Sequence, residues 1–464
     1  MADPKFPYPF FPVQFTTDGV LFQSSDVDKL IAGITADPKP TDVFVLSHGW
    51  NNNMDDAKSL YSGLTTHLAA QIQNSPELKD RSFVICGILW PSKKFEDADL
   101  IPSGAASLND SVSDTHIQAR ISDLKDLLQG AGWPGGKSDP TIEATLNKVA
   151  SQLDDWEDSP ATRTEIVNSI RQLLQTSGAD KEDASSLFFK LNADALVVNL
   201  SQSLNPPPVT PGSSAASLDP FASSSGGGRG GAASFRDVLG GLKGALLHFA
   251  NYTTYYVMKS RAGDVGIKGV APLIKALRGA RPDIRIHMIG HSFGCRVVTA
   301  AVNALPSGDS FRPNTMALLQ GAFSHNAFAK NFDGNDNDGA FRQVIEQKKV
   351  RGPILATHTR NDKAVGVAYP IASRINGQRA ASLGDENDVF GGLGSNGAQT
   401  ADTTRERVAA TLLDAGGSYP FATGATCGKI YNLKADAFIS GHSDIVSDPV
   451  AFAITKAMAS PDAG

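Results

Sequence analysis

The stretch Ile284-Arg-Ile-His-Met-Ile-Gly-His-Ser-Phe-Gly294 carries the pattern that best indicates the fold. It begins as an apolar, β-branched run that is typical of a buried strand, and it ends in the pattern Gly-X-Ser-X-Gly. Apolar side chains then recur at helical spacing, at Val298, Ala301, Val302 and Leu305. A strand that passes through this pattern directly into a helix predicts a nucleophile elbow with Ser292 at its apex. The small residues Gly290 and Gly294 are required there because the two backbones nearly touch.

Strands alternate with helices on both sides of this stretch. Short buried strands are predicted over 42–47, 83–90, 316–320, 353–357 and 429–433, and helices over 54–72 and 450–458. This alternation predicts an α/β fold, a mostly parallel central sheet with helices on both faces. Alternating apolar residues at 12–15 and 20–23, joined around Asp18-Gly19, predict an antiparallel hairpin at the N-terminal edge.

Two long segments exceed what a minimal sheet needs. We assign 1–92 and 248–464 to the core and 93–247 to a large helical insertion, with a flexible Pro/Gly/Ser linker at 205–234. A second insertion, 376–426, is rich in Gly, Ala and Asp and is predicted to form loops. The aromatic-rich stretch 245–258 has two interpretations, a core element or a lid over an acyl pocket.

A serine hydroxyl needs a base to take its proton, and that base needs an acid to orient it. His442 follows the last predicted strand and is the base candidate, because it is the histidine that lies C-terminal to the acid in chain order. Asp362, in the polar loop after the strand 353–357, is the preferred acid. The alternatives are Asp333, Asp336, Asp338 and Asp444.

The developing oxyanion needs two preorganised N–H donors. The amide of Phe293, directly after the nucleophile, is one candidate, and the amide of Trp50 is the other. Trp50 lies in a loop after an early buried strand, and the supporting residues proposed in that loop are His48, Gly49 and Asn51. His291 is expected to pack or hydrogen-bond locally, and His358 to support the site from outside.

Together these motifs resemble the α/β-hydrolase superfamily, specifically an uncharacterised bacterial group of esterase- and lipase-like serine hydrolases. The matching stretches are Leu46–Asn53, Trp90–Ser92, Met258–Gly266, Ile289–Gly294 and Thr357–Asp362. The resemblance covers about 12–92, 250–375 and 428–458. It implies hydrolysis of a carboxylic ester or related acyl bond without a metal or organic cofactor, and it leaves the insertion 93–247 unexplained.

Composition limits the partners of the chain. A net charge of −6 gives no basic field for a phosphate backbone, so nucleic acid is not an expected partner. The N-terminus lacks the pattern of a signal peptide, and no run is long and apolar enough to span a bilayer. Three scattered cysteines predict neither disulfides nor a zinc site. We expect a cytoplasmic protein, with leaderless export as the alternative.

Three functions are compatible with these features. The first is a serine esterase that acts on a small-molecule or lipid ester. The second is a lipase or phospholipase that works at a membrane surface, for example as an exported effector, in which the insertion serves delivery or lid opening. The third is a hydrolase-fold scaffold without turnover, which an intact Ser292, Asp362 and His442 set argues against.

Overall fold

The computed structural model describes residues 4–50, 52–92, 114–131, 133, 136, 138–174, 180–201, 241–362, 375, 390–399, 405–422 and 424–464. The predicted linker 205–234 lies outside these residues, as do Asn51 and parts of both predicted insertions.

A parallel β-sheet forms the centre of the molecule. Within the described residues it has eight strands, β1 Phe10–Gln14, β2 Asp42–Ser47, β3 Phe83–Leu89, β4 Arg285–His291, β5 Thr315–Leu319, β6 Ile354–His358, β7 Arg407–Thr411 and β8 Ile430–Lys434. Their order across the sheet is β1-β3-β2-β4-β5-β6-β8-β7, and neighbouring strands run parallel. Because all carboxyl ends lie on one edge, the loops that follow the strands meet there.

The helices cover both faces of the sheet. They are α1 Ser24–Thr35, α2 Met54–Gln73, α3 Asp114–Gln129, α4 Pro140–Ser151, α5 Pro160–Leu173, α6 Ser185–Lys190, α7 Ala193–Leu200, α8 Gly241–Asp264, α9 Ala271–Ala280, α10 Phe293–Ala304, α11 Arg342–Glu346, α12 Leu393–Asn396 and α13 Asp448–Met458. A π-helical segment, Val265–Val270, joins α8 to α9. The predicted α/β class and the parallel sheet are confirmed.

Strand β2 shows how the sequence produces these layers. All six of its residues are buried, and successive side chains point to opposite faces of the sheet. Val43 and Val45 join the core on the face of α8 and α10, while Phe44 and Leu46 join the core under α2 and α13. A strand that is buried on both faces therefore appears in the sequence as a continuous apolar run.

The predicted hairpin forms only close to its turn, where the amide of Thr16 donates to Val20 O and the amide of Phe22 donates to Gln14 O, each at 2.9 Å, and the prediction that it supplies an antiparallel edge to the sheet is wrong. The turn at Gly19 forms, with φ +80°, but β1 pairs in parallel with β3. The returning segment makes a single antiparallel bridge, between Phe15 and Leu21, before α1 begins at Ser24. Phe22 is 37% exposed, so the alternating apolar residues of this segment are not buried as those of a sheet strand would be.

The prediction of loops throughout 376–426 is also wrong, because this segment contains α12 and β7. Strand β7 lies at the edge of the sheet and pairs with β8 from Arg407↔Ile430 to Thr411↔Lys434. Its sequence, Arg-Val-Ala-Ala-Thr, is short and only partly buried, so it carries a weak strand signal. The other described residues of the segment, between these elements, form turns and loops.

The insertion packs onto the sheet. The apolar residues at helical spacing in 117–128, 142–156, 166–173 and 187–191 fall mainly on α3 to α6, and their buried side chains belong to the same core as Val43 and Val45. The aromatic-rich stretch 245–258 lies within α8, where nearly every side chain is buried. Of the two interpretations of that stretch, the core element agrees with this burial.

A buried ion cluster ties the insertion to the core. Lys259 of α8 is fully buried and pairs with Asp180 at 2.7 Å and with Asp183. Arg296, in the first turn of α10, also pairs with Asp180, at 2.9 Å. Two carboxylates from the insertion therefore neutralise two cations that the core presents.

Candidate active site

Ser292 occupies a strained turn between β4 and α10. Its backbone angles are φ 56° and ψ −125°, a region that costs a residue with a side chain about 1–3 kcal/mol. The turn is held from both sides, because the Ser292 amide donates to Leu319 O at 3.1 Å, and the amide of Ala322 donates to Ser292 O at 3.1 Å. The elbow predicted from Gly-His-Ser-Phe-Gly is the observed local structure.

The glycines beside the turn allow a close approach of backbones. A Cβ added at Gly294 would lie 2.1 Å from Ser47 O, and one added at Gly290 would lie 2.5 Å from Cys295 N. Both distances are below any real contact of such an atom. The strand and helix could not approach this closely with side chains at these positions.

The structure brings Ser292, His442 and Asp362 together. Ser292 Oγ lies 2.8 Å from His442 Nε2, and His442 Nδ1 lies 2.8 Å from Asp362 Oδ2. An ionised carboxylate can only accept, so Nδ1 carries the proton and Nε2 is left to accept from the serine hydroxyl. Asp362 is 2% exposed and Ser292 3%, so both ends of the array are buried, while the His442 side chain between them is 19% exposed.

Gln320 binds the same carboxylate oxygen of Asp362 as His442 does. Its Nε2 donates to Asp362 Oδ2 at 3.0 Å and to Gly394 O at 3.0 Å. Gln320 directly follows β5, has φ 48° and is fully buried. Gln320 was predicted at the end of the strand 316–320 without a role, and the polar side chain that ends this apolar run was the only signal in the sequence.

The loop that carries Asp362 is bonded to the loop that carries His442. Asn361 Nδ2 donates to Ile439 O at 2.9 Å and to Asp436 O at 3.2 Å. In return, Asp436 Oδ1 accepts from the hydroxyl of Thr359 at 2.8 Å and from the amide of Arg360 at 3.1 Å. Neither Asn361 nor Asp436 was singled out from the sequence.

The alternative acids lie elsewhere. Asp333 and Asp338 make hydrogen bonds within their own exposed loop, to the amides of Asn335 and Asn331. Asp336 is in the same loop, with φ 58°. Asp444 accepts from the amide and hydroxyl of Ser440, at 2.9 and 2.7 Å. His358 ends β6, and its carbonyl accepts from the amide of Ala435 at 2.9 Å.

The loop after β2 lies against Ser292. A Cβ added at Gly49 would lie 2.3 Å from Ser292 Cβ and 2.9 Å from Ser292 Oγ. The ring of Trp50, the next residue, meets the ring of Phe293 edge to face, with centroids 6.0 Å apart. The two residues predicted as oxyanion donors are therefore neighbours close to Ser292. Asn51 lies outside the described residues.

His48 fixes the shape of this loop. Its Nε2 accepts from the amide of Trp90 at 3.3 Å, so Nδ1 carries the proton and donates to Gly49 O at 2.9 Å. Burial lowers the pKa of His48 to about 4, so the ring is neutral at physiological pH. Its faces stack between the indoles of Trp90 and Trp133, at 5.4 and 5.9 Å.

Asn52 and Asn53 continue this support. The Asn52 side chain donates to Trp50 O at 3.0 Å and to Gly49 O at 3.3 Å. Asn53 caps α2 by accepting from the amides of Asp55 and Asp56, each at 2.9 Å. A rigid helix start thus lies directly behind the loop. Neither Asn52 nor Asn53 was singled out from the sequence, and the predicted supporting residue Asn51 lies outside the described residues.

No protein-family model, no curated protein and no solved structure matches this chain in comparisons of sequence and fold. Across the described ranges, none of the helices combines the length and the apolar character that a bilayer crossing requires. In the same ranges, no group of three or more His, Cys, Asp or Glu side chains is arranged to hold a metal ion.

Proposed function

We propose that this protein is a serine hydrolase of the α/β-hydrolase fold that cleaves a carboxylic ester or a related acyl bond. The observation that carries the proposal is the continuous hydrogen-bonded array from Ser292 Oγ through His442 to Asp362, with both distances at 2.8 Å. The strained elbow and the chain order Ser, Asp, His add support, because both are features of that fold.

In the proposed mechanism His442 Nε2 takes the proton of Ser292 as Oγ attacks the carbonyl carbon of the substrate. Asp362 stabilises the imidazolium that forms. His442 then gives the proton to the leaving alcohol, and an acyl-enzyme on Ser292 remains. Water, deprotonated by the same imidazole, releases the acid and returns the proton to the serine oxygen.

The negative charge on the substrate oxygen needs donors that are already in place. We assign this role to the backbone amides of Phe293 and Trp50. Phe293 is the first residue of α10, so helix geometry leaves its amide without an intrahelical acceptor. The contact between Gly49 and Ser292 supports the second assignment, because it brings the chain at Trp50 next to the reacting oxygen.

A fluorophosphonate probe tests the proposal directly, since it phosphonylates a serine that is activated by a histidine. We expect labelling of the full chain, its loss in Ser292→Ala, and its retention in Ser443→Ala, an exposed serine next to His442. A panel of esters of increasing acyl length then identifies the substrate class. Absence of both labelling and ester turnover in the wild-type protein would favour the scaffold and overturn the proposal.

A further inference from the structure

His291 directly precedes the proposed nucleophile, yet its side chain contacts the loop that carries the proposed base, His442. This loop is called the base loop below. Its Nε2 lies 2.9 Å from the carbonyl oxygen of His442. A carbonyl oxygen can only accept, so Nε2 must carry the proton and donate it. This contact joins the end of β4 to the main chain of the residue whose ring faces Ser292.

The other ring nitrogen is confined to the interior. His291 is 6% exposed, and neither its Nδ1 nor Ser47 Oγ has a hydrogen-bond partner among the described residues. Both residues line a small cavity of about 10 Å³, which is the room that one water molecule needs.

The environment also keeps this ring uncharged. Burial, and next the neighbouring His442, lower the pKa of His291 to about 3. The two rings lie 5.0 Å apart. A neutral His291 can therefore donate to the base loop without opposing the positive charge that the proposed mechanism places on His442.

We propose that His291 is a positioning residue, which holds the main chain of His442 so that its imidazole reaches Ser292 and Asp362 together. This inference rests on the proposed function. The ring of His442 has hydrogen bonds to Ser292 and Asp362. These bonds do not fix the backbone of the loop, because rotation of the side chain can compensate for a shift of the backbone. Asn361 holds the loop at Ile439, three residues earlier, and His291 holds it at the base itself.

The test compares His291→Met, which fills the space without a donor, with His291→Gln, whose side-chain amide retains a donor near the position of Nε2. For an ester found in the panel, we expect His291→Met to lower kcat about 10- to 100-fold with KM within about twofold. His291→Gln should recover most of kcat. Thermal unfolding should show both variants folded. Unchanged kcat in His291→Met, or equal loss in both variants, would overturn the proposal.

A structural measurement separates this proposal from the proposed function. Crystal structures of the wild-type protein and His291→Met should show the His442 backbone displaced in the variant and the Ser292–His442 contact lengthened. If the wild-type protein is inactive and unlabelled, the proposed function fails, whereas the displaced loop would still support the positioning role. A superimposable loop in the variant contradicts that role whether or not the protein is active.

Discussion

The side chain of Asn361 binds the main chain of Ile439, with Nδ2 2.9 Å from the carbonyl oxygen. Asn361 precedes the proposed acid by one residue, and Ile439 precedes the proposed base by three. This amide therefore joins two loops that are far apart in sequence, together with the hydrogen bonds of Thr359 and Arg360 to Asp436. The distance between Asp362 and His442 depends on this bond as well as on their own contact.

Asn361→Asp should lower activity. It replaces the amide donor by a carboxylate of the same shape, which the carbonyl oxygens of Asp436 and Ile439 repel. We expect kcat/KM to fall by about 10-fold or more. Steady-state kinetics on an ester from the panel measure this. Asn74→Asp, at the exposed C-terminal end of α2, serves as the matched control. Equal activity in both variants would show that the loop bond is dispensable.

Asp362→Asn should cause a much larger loss. The amide group keeps the volume of the carboxylate but can offer its NH₂ to His442 Nδ1, which favours the wrong tautomer of the base. Because the same substitution in Ser-His-Asp triads has effects of this size, we expect kcat to drop by about 10³–10⁴-fold. The free energy of unfolding should change little. Asp444→Asn, in the base loop, should retain activity. A loss below tenfold in Asp362→Asn would remove this residue from the proposed mechanism.

Gly49→Ala places a methyl group 2.3 Å from Ser292 Cβ, so one of the two loops must move. We expect fluorophosphonate labelling to slow by about 10²-fold or more, because the serine and the proposed oxyanion donors separate. Gly441→Ala is the control, since a Cβ at Gly441 meets no atom within 4 Å although it adjoins His442. Labelling of Gly49→Ala at the wild-type rate would exclude this close approach.

Glu182 makes the stability of the fold depend on pH. Burial, reinforced by Asp180 and Asp183, raises its pKa from 4.5 to about 7. Below pH 4.5 the carboxyl is protonated in both folded and unfolded chains, and its contribution to stability is complete. Between pH 4.5 and 7 only the unfolded chain ionises it, so this contribution is lost as pH rises.

Glu182→Gln removes this titration and keeps the oxygen that accepts from the amide of Ala340 at 3.1 Å. The wild-type protein should lose about 1–3 kcal/mol more unfolding free energy than the variant between pH 5 and 8. Urea unfolding at the two pH values measures the difference. The exposed Glu346→Gln should behave as the wild type. Parallel pH profiles for wild type and Glu182→Gln would contradict the assignment.

The sequence predicted those parts of the site that local patterns encode. Ser292 lies within a motif whose glycines, strand and helix are adjacent in the chain, so its turn could be predicted. Asp362 and His442 could be predicted as a pair because each follows a buried strand, and parallel strands deliver such loops to one edge. The two loops lie close together because β6 and β8, the strands that precede them, are neighbours in the sheet.

The contacts that support the site could not be predicted in this way. Gln320 and Asn361 act through neighbours 42 and 78 residues away, and no local periodicity marks such a contact. Strand β7 was missed because its Ala-rich sequence gains little from burial at the sheet edge. The turn at Gly19 was predicted correctly. The pairing of β1 with β3 was not, because it joins residues about 75 positions apart that no local pattern links.

The charge arrangement around Lys259 has a consequence for shortening this chain. Excision of residues 93–240 would remove Asp180 and Asp183, the carboxylates that pair with the ammonium of Lys259 and the guanidinium of Arg296. Where either cation stayed out of water, the loss of its partner would cost several kcal/mol, a large part of the stability of a domain. A shortened version would therefore need new partners or uncharged replacements at both cationic positions, so the stability of the sheet depends on the segment that covers it.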